Sequence, residues 1–243
     1  MENRRINKYL ADSGYCSRRE ADRLVAQGRV RIDGRAAVMG DRVMPGVKIT
    51  VDGKPMDGDG EKVYIILNKP RGIVCTADPR EKYNVVDYLN YPVRVYPVGR
   101  LDKDSEGLIL LTSDGNIVNR LLRAAGGHEK EYEVTIDKKV TDDFVKRMSA
   151  GVTVLDRVTL PCRVRRTGDR SFNIILVQGL NRQIRRMCEY LGCRVVSLKR
   201  IRIMNIELGC MQPGDWRHLT PKELSGLLSA LEEMERSENI KKL

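Results

Sequence analysis

The chain has 243 residues, 41% hydrophobic and 32% charged, enough for one large domain or a small module beside a medium one. Its 44 Lys and Arg against 33 Asp and Glu leave a net charge of +11, a balance that favours a polyanionic partner. No apolar run approaches membrane-spanning length, no apolar signal core follows the basic start, and six scattered cysteines with two histidines lack zinc-cage spacing, so we expect a cytoplasmic protein without membrane contact, metal or disulfide.

Ile6, Tyr9 and Leu10 form a short helical stripe that Gly14 ends. Ser17 and Glu20 make a capping box, opening a helix that buries Ala21, Leu24 and Val25 and stops at Gly28. Val30 and Ile32 alternate with Arg29 and Arg31 up to the turn Asp33-Gly34, a hairpin signature. A second extended piece, 47–51, ends at the similar turn Asp52-Gly53. Residues 54–61, with Asp57-Gly58-Asp59-Gly60, read as a flexible linker, dividing a module at 1–60 from a domain at 62–243.

The second domain opens with a strand at 63–67 closed by Lys69-Pro70, then a short helix at 84–89. A strand at 108–112 turns at Ser113-Asp114-Gly115 into a helix at 116–122 that buries Ile117, Leu121 and Leu122. A strand at 131–136, a helix at 141–148 and strands within 152–166 and 172–177 follow. A helix at 181–191, strands near 194–198 and 202–208, and a last helix at 221–235 complete the chain. There is no repeated strand-helix-strand rhythm, so we expect an α+β fold with a mixed, mainly antiparallel sheet flanked by helices.

The run Gly99-Arg100-Leu101-Asp102-Lys103-Asp104-Ser105-Glu106-Gly107 precedes the strand at 108–112. It presents a carboxylate, Asp102, between two cations in a glycine-bounded loop, an arrangement suited to a nucleophile or to a binder of something charged. Alone, such an aspartate more often caps a turn. Between 178 and 202, Arg182, Arg185, Arg186, Arg194, Lys199, Arg200 and Arg202 face the single acid Glu189, which reads as a local basic surface. No phosphate loop or dinucleotide glycine fingerprint is present.

Two helices, a small β unit and clustered arginines (Arg18, Arg19, Arg29, Arg31, Arg35) resemble the S4 RNA-binding module, which grips structured RNA through its backbone. Lys69-Pro70-Arg71-Gly72, Gly-Arg-Leu-Asp, Glu129-Lys130-Glu131-Tyr132-Glu133-Val134 and the run 178–187 around Arg185 complete a motif set. Together they resemble the pseudouridine synthases of the RsuA/RluB/RluE/RluF type, most of all the RluF branch. That resemblance implies isomerisation of a specific uridine in 23S large-subunit ribosomal RNA, with a tRNA anticodon loop as a further target, by a monomer that needs no cofactor. It implies Asp102 as the essential nucleophile, or as the group that takes a ribose proton, Tyr132 against the target base, and Arg185 paired with Asp102. It assigns Arg18, Arg19, Arg29 and Arg31 to RNA binding in the module. Around an extruded nucleotide it assigns Lys69, Arg100, Leu101, Lys103, Arg182, Gln183, Ile184 and Arg186. A small-subunit enzyme, a non-catalytic assembly factor and a nucleoside hydrolase are the competing readings; the hydrolase lacks its second motif carboxylate.

Overall fold

The computed structural model describes residues 3–56, 61–122 and 127–240. Contacts within the chain divide them into one unit of Met1–Val63, Tyr91–Tyr96 and Thr112–Gly115, and a second of Tyr64–Asn90, Pro97–Leu111 and Asn116–Leu243. No helix among the described residues is long and apolar enough to cross a membrane.

The first unit runs β1 (Arg4–Arg5), α1 (Ile6–Asp12), α2 (Arg18–Ala26), β2 (Val30–Ile32), β3 (Arg35–Ala36), β4 (Arg42–Val43), β5 (Ile49–Val51) and β6 (Lys54–Pro55). Ser17 Oγ accepts the Glu20 amide hydrogen at 3.1 Å and so starts α2. The other arm of the expected capping box is not made: the Glu20 carboxylate pairs with Arg23 one turn on. Asp33 and Gly34 both have positive φ, as do Asp52 and Gly53, which gives two tight hairpin turns of the kind that match strand twist. The strands order as β3-β2-β5-β6. Their inner face and the two helices bury Ile6, Leu10, Ala21, Leu24, Val30, Ile49 and Val51. One expectation is corrected here. Lys54 and Pro55 pair with β5 and belong to the sheet, not to a linker, because the Asp52-Gly53 turn returns the chain along its neighbour. The glycine-rich stretch at 57–60 lies outside the described residues.

The second unit carries β7 (Tyr64–Lys69), α3 (Val85–Leu89), β8 (Tyr96–Val98, entering from the first unit), β9 (Glu106–Thr112), α4 (Gly115–Leu122), β10 (Lys130–Ile136), α5 (Asp142–Ala150), β11 (Thr153–Val154), β12 (Arg157–Val158), β13 (Arg163–Arg166), β14 (Ser171–Leu176), α6 (Gln183–Tyr190), β15 (Val195–Ile203), β16 (Ile206–Glu207), β17 (Trp216–His218) and α7 (Pro221–Ile240). The main sheet orders as β13-β14-β10-β15-β9-β7-β17, with β16 on β15 and β8 on β9. Pairing is antiparallel at β13–β14, β14–β10, β10–β15 and β7–β17, and parallel where β15 meets β9. The fold is α+β with a mixed, mainly antiparallel sheet.

One apolar layer, with Val134, Phe144, Phe172, Ile174, Met187 and Leu198, packs α5 and α6 on the outer half of the sheet. A second, with Ile66, Leu108, Leu110, Ile117, Leu121, Ile203, Leu227 and Leu231, packs α4 and α7 on the other half. Ile117 and Leu121 are buried as their spacing implies; the side chain of Leu122 lies outside the described residues. The strand expected near 194–198 runs on to Ile203 as the nine-residue β15, so the one expected near 202–208 is split between the end of β15 and β16, which pairs back on it. The basic run Lys199-Arg200-Ile201-Arg202 looks like a break, yet it alternates faces at a strand's period of two. Helix α6 begins two residues later than expected, because Arg182 sits in the left-handed region at φ 52°.

Candidate active site

Asp102 lies four residues before β9, the strand that pairs in parallel with β15. Ser105 donates its amide to the Asp102 carbonyl at 3.0 Å, closing a turn over Lys103 and Asp104. The loop is held from behind by Gly72, whose amide reaches the Lys103 carbonyl at 2.8 Å, and by the Leu101 amide on Cys75 Sγ at 3.4 Å. Arg200 clamps both flanks: its Nε donates to the Leu108 carbonyl at 2.7 Å and its Nη1 to the Arg100 carbonyl at 3.3 Å. Gly107 explains the second glycine of the motif. It has φ +110° and opposes Arg200 in the β9–β15 register, where an added Cβ would stand 2.3 Å from the Arg200 carbonyl oxygen.

The Asp102 carboxylate, 29% exposed, faces two guanidiniums from the start of α6. Arg182 Nη1 is 3.7 Å and Arg185 Nε 3.8 Å from Oδ2, close enough for charge attraction but long for a hydrogen bond. Arg185 is fixed independently of Asp102, since its Nη2 donates to the Asp104 carbonyl at 3.3 Å and Ser105 Oγ at 3.1 Å. Burial, and then the charge of Arg182, lower the Arg185 pKa, while Asp102 and Asp104 oppose that shift. The Gln183 side chain carbonyl accepts the Leu180 amide at 3.0 Å, holding the loop that leads into α6.

These groups open onto a pocket of about 620 Å³, within the range that takes a small ligand. Asp102, Arg100, Leu101, Tyr132, Arg182, Gln183 and Ile184 all line it, and every lining residue belongs to the second unit. Lys103 is exposed on the rim of the turn. Arg186 is turned away: its Nε donates to the Asn181 carbonyl at 3.0 Å and its Nη2 lies on Asn181 Oδ1 at 3.4 Å.

Some expected RNA contacts need correction. Lys69 is fully buried, and its ammonium donates to the carbonyls of Pro70 at 2.7 Å and Ile73 at 2.9 Å; it holds the turn and cannot meet a surface ligand. Leu101, Gln183 and Ile184 are buried as well, and lie in the pocket wall. The basic surface at 178–202 is not continuous. Arg200 is 2% exposed, Arg202 holds Glu129 and Glu131, and Arg194 holds Asp137. In the first unit Arg18 and Arg19 are exposed on α2, Arg29 holds Asp52 at 2.5–2.8 Å, and Arg31 Nη1 donates to the Gly34 carbonyl at 2.9 Å.

A family model described as RNA pseudouridylate synthase matches residues 63–190, and one for the S4 domain matches residues 4–46. The chain belongs to the RNA pseudouridylate synthase family. It is 52% identical to the dual-specificity RNA pseudouridine synthase RluF of Salmonella typhi over 94% of this chain and 80% of that one. It is 33% identical to the ribosomal large subunit pseudouridine synthase B of Bacillus subtilis, over 92% and 95% of the two chains. A crystal structure of a pseudouridylate synthase superposes with a TM-score of 0.67 at 28% identity, covering 92% of this chain and 99% of that one. The pseudouridylate synthase domain is therefore an RNA uridine isomerase preceded by an S4 module. Lys130 and Arg200 also line the pocket, and the sequence reading gave neither a place in the site. Their signal was strand period: Lys130 lies two residues from Tyr132, and Arg200 two from buried Leu198.

Proposed function

We propose that this RNA pseudouridylate synthase isomerises a specific uridine of 23S large-subunit ribosomal RNA to pseudouridine, with Asp102 as its essential nucleophile. The observation that carries the reading is the Asp102 carboxylate on the wall of a nucleotide-sized pocket, aimed between Arg182 and Arg185. The reaction breaks N1–C1′, turns the freed base and rejoins it through C5. The Asp102 oxygen takes C1′, or the ribose proton, at the same place in either course. Tyr132, on the pocket wall from β10, packs on the base. Arg185 keeps the carboxylate aimed, because the turn carbonyl and Ser105 fix the guanidinium whether or not substrate is bound. Arg100 and Lys103, exposed at the mouth, hold phosphates beside the extruded nucleotide.

In the same reading residues 1–60 are the RNA-binding domain, through Arg18, Arg19, Arg29 and Arg31, and residues 62–243 the catalytic one. In that reading the enzyme works in the cytoplasm as a monomer. A tRNA is a further target in this reading; the name of the RluF relative states a dual specificity toward RNA, without naming the two targets. The experiment is to treat large-subunit, small-subunit and tRNA transcripts with purified enzyme and map pseudouridine in each. We expect one modified site in the large-subunit transcript and one in tRNA. Modification of the small-subunit transcript alone overturns the target assignment.

A further inference from the structure

Breaking the N1–C1′ bond sends the electron pair away with the base. The freed uracil is an anion whose charge spreads over N1, O2 and O4. In water, solvent would stabilise it; inside a pocket, fixed donors on the wall have to replace solvent.

Two cations set back in that wall, one half-buried and one buried, have no counter-charge within ion-pair distance among the described residues. Arg200 is 2% exposed, spends Nε and Nη1 on backbone carbonyls, and keeps Nη2 buried without a hydrogen-bond partner. Lys130 donates one ammonium hydrogen to the His128 carbonyl at 2.9 Å. Neither forms an ion pair among the described residues. Glu129 and Glu131, the neighbours of Lys130, are engaged by Arg163 and Arg202. Asp102 lies beside Arg182 and Arg185. Lys130 and Tyr132 both line the pocket from β10, and Arg200 opposes Tyr132 across the β10–β15 pair. Arg202 and Arg217, half-buried in the same unit, are by contrast matched with acids. An unmatched cation is costly to bury, and such a cost persists where a negative charge arrives during function. A backbone phosphate is the less suitable visitor, because the wall here also presents Leu101, Leu176 and Ile184 and a phosphate is served by the exposed cations at the mouth.

We propose that Lys130 and Arg200 stabilise the departing uracil anion, the Lys130 ammonium and Arg200 Nη2 donating toward its carbonyl oxygens as N1–C1′ breaks. The inference rests on the isomerase reading above. The atoms balance without any co-reactant: N1 keeps the bonding pair, and C1′ either bonds the Asp102 oxygen or is freed as Asp102 takes a ribose proton; C5 then bonds C1′ as the C1′–Asp102 bond breaks or the ribose proton returns from Asp102, after which C5 loses its proton and N1 gains one.

The test compares RNA carrying uridine with RNA carrying 5-fluorouridine at the target, because fluorine makes the base a better leaving group that needs less help. K130M, with K130Q as a second neutral variant, is expected to slow single-turnover rearrangement of uridine about a hundredfold, the scale of losing one oxyanion donor. On 5-fluorouridine RNA, whose C5 has no proton to lose, the step read is N1–C1′ cleavage with C1′ passing to C5; there the loss should shrink to about tenfold, while RNA affinity stays at the wild-type value and K130R retains most of the rate. R200K, which keeps charge but loses the fork, should show the same dependence on the base. Equal loss on the two substrates, a loss residing in RNA affinity, or an unchanged rate overturns the proposal. A wild-type enzyme that rearranges neither substrate overturns the isomerase reading instead.

Discussion

At the scale of the residue, the site is a set of charges held at fixed places by backbone. Arg185 illustrates this: its anchors are a carbonyl and a hydroxyl of the turn it serves, so shortening it to lysine loses both anchors and the approach to Asp102 together. We expect R185K to lower kcat about a hundredfold with little change in KM, measured by tritium release from C5-labelled RNA. Lys130 makes a prediction about stability. Burial, and then the charge of Arg200, bring its pKa from the ordinary 10.5 down to about 8. Between those values the unfolded chain holds a proton that the folded chain does not, so stability rises with pH from about 8 to 10.5. Below pH 8 the charged amine costs the folded state up to about 3 kcal/mol, at 1.36 kcal/mol per unit. K130M should therefore melt higher than wild type at pH 7 and lose the rise between 8 and 10.5. A lower melting temperature at pH 7 would show that the ammonium is not penalised.

At the scale of the element, Thr220, Pro221 and Glu223 start α7 with both arms of a capping box. Glu223 donates its amide to Thr220 Oγ1 at 3.2 Å and accepts the Thr220 amide at 2.8 Å. Arg217 of β17 adds two bonds at 2.8 Å to the same carboxylate, which together with the capping holds its pKa at about 2. Its stabilisation is complete above 4.5 and is lost as pH falls toward 2. E223Q should cost about 2 kcal/mol at pH 7 and nothing near pH 2, read from denaturant midpoints. Gly107→Ala is the sharper element-level change. Its Cβ would meet the backbone of β15, so we expect either an insoluble chain or one folded without activity. Turns and helices such as Asp33-Gly34 and α2 were legible because local chemistry decides them. The unbroken β15 was not, because a run of Lys and Arg reads as surface until its neighbours are known. The same holds for Arg200: a cation bonded to carbonyls distant in sequence leaves no local mark. Asp102, Tyr132 and Arg185 were found through motif resemblance; spacing alone would have left Asp102 a turn residue.

At the scale of the whole molecule, the S4 unit has the grip on RNA and the second unit the chemistry in the proposed reading. Exposed Arg18 and Arg19 on α2 should act on affinity through phosphate contacts. Replacing both with alanine should weaken RNA binding and reduce the slope of log affinity against log salt by about 1.5. The single-turnover rate at saturating RNA should be unchanged. The central claim is narrower: one carboxylate, held in charge range of two guanidiniums, begins the rearrangement of uridine. D102N tests it most directly, since it keeps the shape of the side chain and removes its charge. With C5-tritiated RNA under single-turnover conditions, the account predicts no tritium release from D102N while RNA affinity matches wild type. Release from D102N at a rate near wild type would contradict it.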